Sequence, residues 1–227
     1  MIITIDGPAA SGKSSVARAL AKKLDFFYLN TGMLYRAVAV VLQTFFNKKI
    51  DVEGGFIVHE HELLFIKDIV YNFDQGTSCV LYKGQDITVL LSDAQVGQLA
   101  SILGANAEVR QALLKIQRDV AARYDIVTDG RDCGSVVFPD AGMKFFLTAS
   151  VQVRAERMVA DVQRKAENLD LARAQEEIVQ RDKRDMERSV APLVIPKGAT
   201  VIDNSGMTLE QTVDLFLQNF RSKFGKF

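Results

Sequence analysis

Eight residues near the start of the chain, Gly7-Pro8-Ala9-Ala10-Ser11-Gly12-Lys13-Ser14, fit the pattern G-x-x-x-x-G-K-[ST]. Each type in it suits an anion. The two glycines permit a tight turn whose backbone N–H groups point inward, Lys13 adds a cation, and the Ser14 hydroxyl suits Mg²⁺. The chemistry predicted is the binding of a nucleoside triphosphate with Mg²⁺. A structural glycine turn would also satisfy the pattern, so its flanks decide. The apolar run Met1-Ile2-Ile3-Thr4-Ile5 precedes it as a strand. Val16, Leu20 and Leu24, with Ala17 and Ala21, give the segment after it one apolar helical face. The unpaired N–H groups and positive dipole end of that helix would lie beside the phosphates.

Other residues extend this chemistry. Asp125-Ile126-Val127-Thr128 reads as a strand delivering Asp129-Gly130-Arg131-Asp132. A carboxylate at such a strand end can orient Mg²⁺ through its water shell, which makes Asp129 the partner of Ser14. Arg131 could meet a phosphate and Asp132 a donor on a base, although a mutually paired Arg-Asp turn explains them too. After the aromatic strand Phe26-Phe27-Tyr28-Leu29, Asn30-Thr31-Gly32 opens a helix carrying Tyr35 and Arg36. Thr31 and Arg36 then sit at the carboxyl ends of the strands, where a planar guanidinium suits a second phosphate; a capped helix with a surface arginine is the alternative. Arg181, Asp185 and Arg188, at i, i+4 and i+7, are expected along one helical face with Arg184 beside them, either as a binding set or as a solvated ion-pair ladder.

These groups need a scaffold. Strands at residues 1–5, 26–29, 125–128, Lys144-Phe145-Phe146-Leu147-Thr148 and Ala199-Thr200-Val201-Ile202-Asp203 alternate with helical patterns, predicting a three-layer α/β/α fold of the P-loop NTPase class with about five parallel strands. From about residue 50 to 104 the texture changes to short strands and tight turns: Ile69 to Phe73, Asp74-Gln75-Gly76-Thr77, Cys79 to Tyr82, Lys83-Gly84, and Asp86-Ile87-Thr88. An antiparallel meander is foreign to a parallel sheet, so it is expected as an insertion standing off the main body and helping to hold the second substrate. Leu99, Leu103, Val109, Leu113, Ile116 and Val120 return to helical spacing, with Ser101 and Arg110 where the insertion rejoins the core. The charged helical region from Val151 to Ser189 is expected to be a mobile cover, and Val190-Ala191-Pro192-Leu193 ends it.

Composition bounds the partners. In 227 residues, Lys plus Arg equals Asp plus Glu at 28 each, so no net charge drives binding to nucleic acid or membrane. A hydrophobic share of 48 % is ample for one core domain with its insertion. The two cysteines, Cys79 and Cys133, have neither disulfide-framework nor zinc spacing. With no apolar run near the ~20 residues of a membrane span, the expectation is a cytoplasmic protein. His59 and His61 lie two apart in His-Glu-His-Glu, which suits a solvated helix start better than a metal site.

Several segments together carry a resemblance: Ile5-Asp6-Gly7-Pro8, Thr31-Gly32-Met33-Leu34-Tyr35-Arg36, Asp129-Gly130-Arg131-Asp132-x-Gly134, Val136-Val137-Phe138-Pro139, and Arg181-Asp182-x-x-Asp185-x-x-Arg188-x-Val190-Ala191-Pro192-Leu193. The chain resembles the bacterial-type cytidylate kinases, P-loop kinases of nucleoside monophosphates, from its first strand to Ile202-Asp203-Asn204-Ser205. The resemblance implies an enzyme that phosphorylates CMP and dCMP from Mg-ATP, with the ATP held by Gly7 to Ser15; a monomer is expected. It implies a catalytic set of Lys13, Arg36, Asp129, Arg131 and Arg188, in which Arg36, Arg131 and Arg188 gather around the acceptor phosphate. Ser101, Arg110 and Asp132 would read the cytosine edge, Arg181 and Asp185 would reach the pentose, and Thr31 would lie nearby. Asp132 can accept from the exocyclic amine of cytosine, where uracil presents a carbonyl. The chain departs from the family at Asn30, often Asp, at Cys133, often a larger apolar residue, and at Ser14-Ser15, where some members have Gly-Thr. The rival expectations are a P-loop kinase for another small acceptor, such as UMP, and an ATP-binding switch that transfers nothing. A switch needs fewer cations than Arg36, Arg110, Arg131, Arg181 and Arg188 supply.

Overall fold

A computed structural model describes residues 1–47, 60–74, 77–161 and 169–225. His59, the side chain of His61, the Gln75-Gly76 turn and parts of the two segments at 50–104 and 151–189 lie outside the described residues.

Strand β1 (Ile2–Asp6) runs through the centre of a five-stranded sheet. Its companions are β2 (Phe27–Asn30), β6 (Ile126–Gly130), β7 (Met143–Thr148) and β8 (Thr200–Asp203), in the order β2-β6-β1-β7-β8 and all parallel. Alternation along β1 sorts its faces. Ile3 and Ile5 enter a core with α1 (Lys13–Leu24) and α7 (Leu209–Phe224), while Thr4 lies against Gly134. Helix α1 buries Val16, Ala17, Leu20, Ala21 and Leu24, the stripe expected from their spacing. From α7 come Val213, Phe216, Leu217 and Phe220; Phe216 stacks on Phe145 of β7 at 4.2 Å between ring centroids. Burial of each such ring contributes roughly 1.5–3 kcal/mol.

The opposite face is covered by α2 (Thr31–Val40), α3 (Ala94–Leu103) and α4 (Ala107–Ala121), which share a second core with Leu29 and Ile126. Helix α2 runs on into a π-helical turn, Val41–Phe45. Asp93 caps α3 by accepting from the amides of Gln95 and Val96, and Asn106 caps α4 by accepting from that of Val109. The layers are those expected, α/β/α around about five parallel strands.

The antiparallel piece is β3 (Ile69–Asp74), β4 (Thr77–Tyr82) and β5 (Gln85–Asp86), after a 3-10 helix at Glu60–Asp68. It does not stand off the main body. Ile69, Tyr71, Val80 and Tyr82 bury their side chains in the same core as Leu29, Leu34 and Leu113, and the hydroxyls of Tyr71 and Ser78 donate to the Tyr28 carbonyl of β2 at 3.4 and 2.7 Å. The aromatic and branched face of the meander closes against β2 because it is apolar. Ile87 and Thr88 leave the strand, and Thr88–Ser92 forms a 3-10 turn.

The charged region is two helices, α5 (Val151–Ala160) and α6 (Leu171–Glu187). They pack on each other through a small core of Ala155, Met158, Ala174 and Ile178, separate from the other two. Arg188 is not on the helical face with Arg181 and Asp185. It follows the last residue of α6 with extended backbone, φ −60° and ψ 138°.

Candidate active site

The loop between β1 and α1 has the geometry that its glycines suggest. Gly12 stands at φ 87°, a left-handed conformation that favours glycine, and caps α1 without any side-chain acceptor. The first amides of α1 are thus left to an anion. Lys13 is buried, and its Nζ donates to the Pro8 carbonyl at 2.9 Å. Burial, aided by the nearby Arg131 guanidinium and opposed by Asp129, lowers its pKa to about 7. An anion beside this amine would restore its charge.

Next to it, Ser14 Oγ donates to Asp129 Oδ2 at 2.7 Å, and Tyr28 Oη donates to Asp129 Oδ1 at 2.6 Å. Burial and the carboxylate hold the Tyr28 phenol well above its usual range. Strand β6 extends through Asp129 to Gly130, further than the sequence suggested, so Asp129 is fixed by backbone pairing with Ile5 of β1. A hydroxyl and a carboxylate, both hard oxygen donors beside a phosphate loop, fit Mg²⁺. Thr31, by contrast, spends its hydroxyl on the Asp129 carbonyl at 2.8 Å.

Two cavities meet at this loop. One of about 500 Å³ is lined by Gly12, Lys13, Ser14, Ser15, Arg157, Asn204 and others. The second, about 270 Å³, is lined by Thr31, Arg36, Ser101, Arg110, Asp129, Arg131, Asp132, Arg181, Asp185 and Arg188 among others. Ala10, Lys13, Ser14, Arg36, Gly97 and Arg181 border both. Every substrate-side residue expected from the sequence lines the second cavity. Of the loop, Gly7, Pro8, Ala9 and Ser11 line neither.

Within the second cavity the charges are already paired with each other. Arg131 Nε donates to Asp185 Oδ2 at 2.6 Å. Arg110 pairs with Asp132 Oδ2 and donates from Nη1 to the Gly104 carbonyl at 2.9 Å. Arg188 reaches Asp132 Oδ1 at 3.5 Å and holds the Ala191 carbonyl at 2.7 Å. Burial alone would raise the Asp185 pKa, but the charge and hydrogen bond of Arg131, with the charges of Arg181 and Arg188, together outweigh it and hold the carboxyl below its ordinary value. Arg181 is different: its Nε, though buried, has no hydrogen-bond partner, and burial together with Arg131 pulls its pKa down to about 10. The Ser101 hydroxyl is likewise buried and unpartnered. Arg36 donates from Nη1 to the Leu91 and Asp93 carbonyls at 2.8 and 3.2 Å. Five arginines and Lys13 face three carboxylates, an excess suited to phosphate.

Sequence reasoning missed a third group. Asp182 of α6 accepts from the Ala9 amide at 2.9 Å and from Arg154 Nη1 at 2.5 Å, and Arg154 also donates to the Ala9 carbonyl at 3.0 Å. Arg157 donates to the Ser11 carbonyl and to Asn204 Oδ1 at 3.2 and 3.0 Å. Helices α5 and α6 are therefore tied to the phosphate loop. In a helix rich in charge these residues look like any solvated position; the signal available was Asp182 inside the Arg181-to-Arg188 motif.

A glycine loop joining the central strand of a parallel sheet to its helix, with a second cation-rich cavity at the strand ends, defines a P-loop protein built to hold two phosphorylated groups side by side. A family model described as cytidylate kinase matches residues 3–222. A cytidylate kinase from Caldicellulosiruptor saccharolyticus is 37 % identical over 223 residues, covering 98 % of this chain and 96 % of its own length. One from Thermotoga petrophila is 39 % identical over 224 residues, with 97 % of each chain covered. The chain belongs to the cytidylate kinase family. Among solved structures, an uncharacterized protein from Eubacterium ventriosum shares the fold, with a TM-score of 0.56 at 13 % identity over 98 % of this chain and 99 % of its own.

Proposed function

We propose that this protein transfers the γ-phosphoryl group of Mg-ATP to CMP and dCMP. The observation that supports the reading is the cation-rich second cavity, lined by Lys13 and Ser14 of the phosphate loop and by Ser101, Arg110 and Asp132.

The phosphate loop, residues 7–15, holds ATP by its amides, by the α1 terminus and by Lys13, with the nucleoside in the larger cavity near Arg157 and Asn204. Ser14 and Asp129 would hold Mg²⁺, which when bound would supply positive charge against that developing on the donor phosphates. Arg36, Arg131 and Arg188 hold the CMP phosphate in line with the donor. One of its oxygens forms a bond to the γ-phosphorus as the bond to the ADP oxygen breaks, and ADP leaves with that electron pair. Nothing in the step needs a covalent enzyme intermediate; position and charge carry it. Substrate replaces protein partners: the phosphate takes Arg131 and Arg188 from Asp185 and Asp132, which are then released toward the pentose and the cytosine amine. Thr31 borders the same space, its hydroxyl retained by β6.

In the same reading, the segment of about 50–104 contributes to acceptor binding through Gly97, Ala100, Ser101 and Gly104. The segment of about 151–189 covers the site through Glu177, Arg181 and Asp185. The protein works as a monomer in the cytoplasm.

The test is ADP release from Mg-ATP, measured by a coupled assay as CMP is added. Release that depends on CMP, with CDP as co-product, is expected. No release with any nucleoside monophosphate would leave only an ATP-binding module.

A further inference from the structure

Asp6 is the last residue of β1, in register with Gly130 at the end of β6, and the phosphate loop begins at the next residue. Its side chain is fully buried. Oδ1 accepts from the Cys133 amide and Oδ2 from the Gly134 amide, both at 2.7 Å. Those amides directly follow Arg131 and Asp132, which the proposed function places at the phosphate and the base. The loop lies hard against β1: a Cβ on Gly134 would stand 2.7 Å from Thr4 Oγ1 and 3.2 Å from Asp6 Oδ2.

Two convergent N–H donors need two acceptors, and only a carboxylate of this size offers both. Asparagine would turn an NH₂ group toward one of them. No salt bridge holds Asp6 among the described residues; the charges near it are Asp132, of like sign, and Lys13. Burial raises its pKa to about 6 against the pull of the two amides. Packing alone would be better served by an uncharged residue.

We propose that Asp6 is a positioning residue, whose carboxylate pins the Cys133 and Gly134 amides so that Arg131 and Asp132 stay in register with the phosphate loop. This rests on the acceptor reading above and adds a residue to it. It also makes one side chain the mechanical link between donor and acceptor halves.

The test is steady-state kinetics with CMP and ATP, alongside binding of a fluorescent ATP analogue without CMP, on the whole chain. Asp6→Asn is expected to lower kcat/KM for CMP about 10- to 100-fold, through kcat as well as KM, because small misplacements at reacting groups are costly. Its affinity for the ATP analogue should stay within about threefold of wild type. Gly134→Ala keeps the carboxylate but pushes the loop away, so the same split is expected of it, and it carries the test if Asp6→Asn does not fold. Thr4→Val serves as a control, since Thr4 Oγ1 is buried without a partner beside the same loop; it should stay within about twofold of wild type. A kcat/KM for CMP within about threefold of wild type, or equal losses in ATP and CMP binding, would overturn the inference. A wild-type chain releasing no ADP with CMP would overturn the functional reading and this inference with it; a wild type that is active beside an unaffected Asp6→Asn sinks this inference alone.

Discussion

Ser14 and Asp129, 115 residues apart in sequence, meet through a hydrogen bond of 2.7 Å between Oγ and Oδ2. The bond joins the phosphate loop to the neighbouring strand end and leaves a pair of hard oxygen donors at the smaller cavity, which both residues line. Asp129→Asn should lower kcat about 10²- to 10³-fold, the usual cost of losing a group that stabilises developing charge, and raise the Mg²⁺ concentration needed for half-maximal rate. A Mg²⁺ titration of the rate checks this; an unchanged requirement would remove Asp129 from the metal site.

Lys13 carries a proton-linked prediction. Its pKa in the free site is lowered from 10.5 to about 7, so at pH 8 the amine is mostly neutral, and a bound triphosphate should restore the charge by Coulomb attraction. ATP binding at pH 8 is therefore expected to take up close to one proton. Calorimetric enthalpies measured in buffers of different ionisation heat would report it, and Lys13→Met should abolish it. Buffer-independent enthalpies would contradict it. Lys13→Ala should leave the circular dichroism intact and abolish turnover.

Burial of the Asp6 carboxyl makes a stability prediction of definite sign. Its folded pKa, about 6, lies above the ordinary value of 3.8, so the native state binds the proton more tightly than the unfolded chain. Stability from this group falls as pH rises from about 4 to 6 and then stays level. Relative to wild type, Asp6→Asn should thus gain roughly 2 kcal/mol between about pH 4 and pH 7, since each tenfold difference in proton affinity is worth about 1.36 kcal/mol and the unfolded group is already half ionised near pH 4. Urea midpoints at the two pH values measure the gain. A difference constant with pH would show that the carboxylate is not buried against its charge.

Asp132 and Asp185 divide base from sugar. Asp132→Ala should lower kcat/KM for CMP by one to two decades, about 1.5–3 kcal/mol, and UMP much less, which narrows the CMP:UMP ratio. Because Arg110 is buried against Asp132, the same variant should lose about 3–5 kcal/mol of stability. Asp185→Ala should weaken both nucleotides together. Equal losses of CMP and UMP in Asp132→Ala would mean that the carboxylate organises the arginines and leaves base choice to Ser101 and Arg110.

Much of this is legible in the chain. The phosphate loop is readable because its residues are consecutive and its flanks have clean periodicities. Arg110 and Asp132, 22 residues apart, come together only through the family resemblance, since nothing in local spacing pairs α4 with a loop after β6. Spacing puts Arg188 on a helix because i+7 fits one, yet Pro192 disfavours helix just before it, Ala191 takes φ 48°, and the chain leaves α6 at Glu187. The meander reads as detached because antiparallel strands do not extend a parallel sheet, whereas its burial against β2 is decided by tertiary packing. Asp6, Arg154 and Asp182 have no role that spacing assigns. What they do depends on backbone amides and carbonyls brought close by the fold, and no residue pattern encodes those.

Whether this cavity selects a cytosine nucleotide as phosphoryl acceptor is decided by kcat/KM for CMP, dCMP and UMP under one set of Mg-ATP conditions. Turnover is expected with CMP and dCMP, with a value for UMP about one to two decades below that for CMP, the discrimination expected when a charge-assisted hydrogen bond to the base amine is lost. Equal values for CMP and UMP, or a higher value for UMP, would contradict it.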